Sequence, residues 1–157
     1  MLNRVANELS RAVLPGEWRL HLQVVQLIWR EFGEAQVDLF ASSETSHCQL
    51  FYSLTELTLG TDALAHSWPR GLYSFPPVSL FAQTLCKVRE DEEQVLLVAP
   101  YWPTRTWFSE LMLLVTAPSW PIPLRKDLLT QRRGTLWNPR PDLWKLHVWS
   151  LDGTRRF

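Results

Sequence analysis

The run Gln94-Val-Leu-Leu-Val-Ala99 constrains the fold of this chain more than any other segment. Five consecutive apolar residues are too short for an ordinary helix and leave no wet face for a surface strand. A strand of this kind is buried on both sides, as central parallel strands are, and helices must then cover both faces of its sheet. Helical periodicity does flank it. Val24, Val25, Ile28 and Phe32 share one face of a helix predicted over 20–32, with Gly33 as its C-terminal stop. Val78, Phe81, Leu85 and Val88 recur at three- and four-residue steps between Pro77 and Asp91, and Trp107, Leu111 and Leu114 do so between Thr106 and Val115. Shorter strands are predicted at 36–40, 49–53 and 72–75. The alternation of strands and helices predicts an α/β fold of three layers around a mostly parallel sheet.

The remaining sequence adds an unusual C-terminal third. Residues 116–142 are Pro-rich, with Trp120-Pro-Ile-Pro and Asn138-Pro-Arg-Pro, and should form turns and extended segments. Leu146 and Val148 alternate with Lys145, His147 and Trp149, the pattern of an edge strand. Net charge is zero but unevenly placed: residues 1–100 carry seven Lys and Arg against twelve Asp and Glu, and residues 101–157 carry nine against four. That basic third also holds six of the nine Trp, a composition suited to a phosphate backbone. Arg125, Lys126, Arg132, Arg133 and Arg140 are the candidate phosphate contacts.

Several function classes lack support. Cys48 and Cys86 are too few and too far apart for a disulfide framework, which points to a reducing, intracellular setting in cytoplasm or nucleus. The first residues lack the apolar core of a signal peptide, and no apolar run approaches the roughly eighteen residues of a membrane span, so no membrane partner is expected. His47-Cys48 has no second pair of ligands at zinc spacing, so no metal site is expected. Asp62, His66 and Ser67 are hydrolase residue types without a nucleophile elbow. In an open parallel sheet, ligands sit beyond the carboxyl ends of the strands. Asp38, Phe75 to Pro77 and Pro100 to Trp102 all fall at such ends and are expected to share one crevice.

The order Asp38-Leu-Phe-Ala41, Asp62…Trp68, Phe75-Pro76-Pro77-Val78, then Leu-Leu-Val-Ala-Pro100 and Thr106-Trp107-Phe108, resembles the compact phage-type DNA adenine methyltransferases over residues 36–114. The resemblance implies a small Rossmann-like domain, with Asp38 near S-adenosylmethionine and Phe75, Pro76, Pro77 and Val78 as the loop that grips a flipped base. The chain departs from that pattern at the chemistry. Phe75 stands where a polar acceptor binds the adenine amine, Val78 stands where an aromatic ring stacks, and Ala41-Ser42-Ser43-Glu44 replaces a glycine-rich cofactor loop. No catalytic residue is therefore assigned, and S-adenosylmethionine is expected only if the chain is an active enzyme.

Two further stretches resemble a retroelement. Leu2 to Arg11 is similar to the end of a retroelement ribonuclease H domain, with Asn7 where a metal-binding Asp is usual. Residues 120–149 are similar to the polyproteins of tyrosine-recombinase retrotransposons of the DIRS type. The implied layout is a ribonuclease H tail and linker at 1–16, a methyltransferase-like domain at 17–115, and a Pro/Trp-rich basic extension at 116–157. The resulting expectation is a non-catalytic module that contacts DNA or RNA, or links reverse transcriptase and ribonuclease H to a recombinase. An active adenine methyltransferase and an inert fragment are the alternatives.

Overall fold

The computed structural model describes residues 18–39, 47–48, 50–51, 72–131 and 134–154. Among them the chain forms, in order, β1 (Arg19–Leu20), α1 (Leu22–Phe32), β2 (Val37–Asp38), β3 (Leu50–Phe51), β4 (Leu72–Ser74), a 3-10 turn (Val78–Leu80), α2 (Phe81–Glu90), β5 (Gln94–Pro100), α3 (Phe108–Leu114), β6 (Trp120–Pro121), β7 (Leu129–Gln131), β8 (Leu136–Trp137), a 3-10 turn (Pro141–Leu143) and β9 (Leu146–Asp152). The fold is mixed α/β with two sheets. One has three strands in the order β1-β7-β8, and the other has six in the order β3-β2-β4-β5-β9-β6.

Contrary to the expectation from sequence, the sheet structure is not mostly parallel. The large sheet is mixed: β3-β2, β2-β4 and β4-β5 pair in parallel, whereas β5-β9 and β9-β6 are antiparallel. The small sheet is antiparallel throughout, so antiparallel pairings outnumber parallel ones over the described residues. The apolar run does become an interior strand, but it is parallel to β4 on one side only. Its composition records burial on both faces and carries no information on the direction of a neighbour. The seven residues of β5 pair with all seven of β9, from Gln94 opposite Asp152 to Pro100 opposite Leu146. Residues 145–149, expected at an edge, thus lie between β5 and β6, where Leu146, Val148, Trp149 and Leu151 are buried.

Local sequence explains the helices. His21 caps α1 by accepting the Gln23 N–H at 3.1 Å, and Gly33, at φ 92°, ends it with its own N–H on Trp29 O. Val24, Val25 and Ile28 are buried, each worth roughly 1.5–3 kcal/mol relative to exposure, while Phe32 leans edge-on against Trp120. The expected helix after Pro77 begins as a 3-10 turn and turns α-helical only at Phe81, burying Phe81, Leu85 and Val88. Helix α1 meets the sheet through Trp29 against Tyr73, and α3 meets it through Phe108 against Trp149. The end of β9 closes onto α2: Gly153 donates to Glu93 O, and a Cβ there would lie 1.9 Å from Val88 O. Only glycine fits that approach. No described helix is long and apolar enough to cross a membrane.

Candidate functional site

The chain runs from β2 outward to β3 and then returns to place β4 on the other side of β2. The carboxyl ends of β2 and β4 therefore flank the point where the strand order reverses, the place where open α/β sheets form ligand crevices. Asp38 ends β2 directly opposite Tyr73, and Phe75 to Pro77 leave β4 one step further on. The carboxyl end of β5 rises beyond them, because Ser74 lies opposite Leu97 and the strand continues to Pro100. The expected residues thus occupy one staggered rim.

That rim is packed rather than open. Phe75 is 6% exposed and meets Trp144 edge-on, with ring centroids 6.1 Å apart. Trp144 in turn lies 5.9 Å from Trp102, whose indole N–H donates to Leu143 O. The Arg105 guanidinium caps the outer indole at 4.9 Å. Pro76 is buried, and Pro77 and Val78 are half-buried at the start of the 3-10 turn. Contact with Trp144 thus takes up the side chain at the head of the Pro-Pro loop.

Asp38 sits at the other side of the reversal and is itself only 2% exposed, accepting the His47 N–H at 3.1 Å. Around it gather Tyr73, His47 and Cys48. The Tyr73 ring is edge-on to Trp29 at 5.3 Å and to His47 at 6.1 Å, and its hydroxyl has no hydrogen-bond partner among the described residues. Burial first, and the Arg19 charge second, push the His47 imidazole down to about 3. Burial, reinforced by Asp38 and Glu34, pushes the Cys48 thiol up to about 12. Burial likewise holds the Tyr73 phenol well above its ordinary value. At neutral pH these three groups stay uncharged, so none is a ready base or nucleophile.

Tested against S-adenosylmethionine, these residues fit poorly. The Asp38 carboxyl is turned into the protein, the loop head is an apolar ring, and residues 41–44 lie outside the described residues. A cavity of about 480 Å³ opens at the opposite, amino ends of the parallel strands, between Gly33, Leu72, Gln94 and Ser150. Asp62, His66 and Ser67 also lie outside the described residues.

The candidate phosphate contacts divide. Arg125 donates to Asp127 and to Gln23, beside His21. Arg140 is doubly bonded to Asp142 at 3.0 and 2.9 Å. In both pairs the guanidinium already faces a carboxylate two residues away. Lys126 is exposed, and Arg132 and Arg133 lie outside the described residues. The structure also holds an aromatic group that sequence patterning did not select: Tyr101, His147 and Trp149. The two-residue step from His147 to Trp149 was a visible signal that both rings share a strand face. Tyr101 joins them only through the β5-β9 pairing.

Compared with known proteins, the chain matches no protein-family model, and no curated protein matches it.

Proposed function

We propose that this chain is a non-catalytic, methyltransferase-like module of retroelement origin that contacts nucleic acid. The observation that carries the non-catalytic part is the burial of Phe75 against Trp144 at the head of the Pro-Pro loop. A base-gripping loop needs an acceptor for the substrate amine, and losing such a partner at a buried site typically costs several orders of magnitude in rate. The Rossmann-like part draws support from the strand reversal at β2 and β4, with Asp38 and Phe75 on its rim, and from helices that meet the sheet at Tyr73 and at Trp149. The nucleic-acid part draws support from the basic, Trp-rich C-terminal third. A place between ribonuclease H and a recombinase in a longer polyprotein is part of the same proposal.

Titration of labelled single- and double-stranded DNA and RNA at rising salt tests it. Affinity should fall steeply with salt as counterions are released. In parallel, saturating S-adenosylmethionine should leave the melting temperature unchanged. A cofactor-dependent rise, or methyl transfer to adenine, would replace the proposal with an active enzyme.

A further inference from the structure

We propose that the Tyr101–His147–Trp149 stack is a subsite for one unpaired base of a single-stranded nucleic acid; this rests on the nucleic-acid contact proposed above and names its chemistry. Strand β9 presents His147 and Trp149 on the same face, with ring centroids 5.7 Å apart and planes 28° from parallel. Tyr101, the residue after β5, lies against both: 5.2 Å from His147, and 6.0 Å from Trp149 at an interplanar angle of 15°. Phe108 meets its edge at 5.3 Å, and its backbone N–H donates to Lys145 O. The Tyr101 ring is therefore oriented before any ligand arrives, which lowers the ordering cost of binding.

Exposure and space favour an outer partner. Trp149 is 2% exposed, but Tyr101 is 45% exposed, so the stack ends in an accessible aromatic surface. A cavity of about 470 Å³ adjoins it, bounded by Tyr101, Met112, Pro118, Ser119 and Trp149. That volume falls within the roughly 300–1,000 Å³ of ordinary small-ligand pockets. Ser119 lies on its wall, and its hydroxyl is hydrogen-bonded to His147 Nδ1 at 2.8 Å. Burial lowers the His147 pKa, and the neutral ring, held by that hydroxyl, stays packed against Tyr101.

Charge decides between a base and an apolar peptide side chain. None of the residues bounding the cavity is acidic. Lys145, whose backbone O accepts the Tyr101 N–H, is exposed and has no ion-pair partner among the described residues, unlike Arg125 and Arg140. An aromatic surface beside an uncompensated cation is the combination that binds single strands, the ring taking the base and the cation a phosphate. Because every base has a π face, the subsite should tolerate sequence.

The test uses the whole chain and a fluorescent single-stranded oligonucleotide of about eight nucleotides, within the range one small domain covers. Tyr101→Ala should weaken binding about tenfold, and Tyr101→Phe should bind like the native chain. An abasic oligonucleotide should show no difference between Tyr101→Ala and native protein. Equal binding of the normal oligonucleotide by native chain and Tyr101→Ala would overturn the subsite while leaving phosphate contact intact. No binding by the native chain at low salt would remove the nucleic-acid reading and the subsite with it. If Tyr101→Ala does not fold, photocrosslinking of an iodouracil-containing oligonucleotide to the native chain decides: attachment at Tyr101 or His147 supports the subsite, and attachment only elsewhere overturns it.

Discussion

The two halves of the large sheet are held by different means. In the parallel half, β2, β3 and β4 contribute two, two and three residues, too few for a long ladder, and side chains do the joining: Trp29 on Tyr73, His47 on Asp38, Phe75 on Trp144. In the antiparallel half, β5 and β9 share seven register pairs, and the Trp149 indole donates to Ala99 O across them. A ladder resists the loss of any one contact because its neighbours remain. A packed rim does not. The rim expected to form a crevice is thus the part most dependent on burial, whereas the accessible Tyr101 ring stands at the end of the laddered part.

The sharpest way to break this comparison is Phe75→Asn, which puts a polar residue at the head of the loop. It should cost about 3–5 kcal/mol, because it removes a buried ring and buries an amide beside Trp144. Denaturant unfolding gives the loss. Hydrogen exchange should then speed up around Leu72–Ser74 more than within Gln94–Pro100. Equal acceleration in both would show that the halves open as one unit.

Gly153→Ala probes the laddered half from its end. The new Cβ would press on Val88 O, for an expected loss of about 1–3 kcal/mol. A change in melting temperature too small to measure would mean that the end of β9 gives way without cost.

The most gradual effect, spread over several pH units, is acid sensitivity in the parallel half. His47 has a folded pKa of about 3 against the ordinary 6.5, so the unfolded chain takes up the proton first. Its contribution is present in full above about pH 6.5. Stability is lost as pH falls from there toward about 3, by up to about 1.4 kcal/mol per pH unit. Urea midpoints measured between pH 7 and 4 should show this slope, and His47→Asn should flatten it. An unchanged slope in the variant would place the sensitivity elsewhere, His147 being the next candidate because burial lowers it too.

Much of this was legible before the fold. Val24, Val25 and Ile28 marked a buried helix face, Gly33 its end, and the apolar run 95–99 an interior strand. Asp38 and Phe75 to Pro77 were recognisable as strand ends, and they do share a rim. Periodicity reports which faces are dry, so these features needed only local sequence. Other features were decided by distant partners. The direction of β9 beside β5, the pairing of β1 with β7, and the meeting of Tyr101 with His147 and Trp149 each join residues more than forty positions apart. Composition likewise marked residues 101–157 as basic, but only the folded backbone set Arg125 against Asp127 and Gln23 and left Arg105 over an indole. A sequence states which side chains avoid water and which carry charge. Whether a given ring is buried or presented, and whether a given charge is spent internally, depends on which strands come to lie side by side.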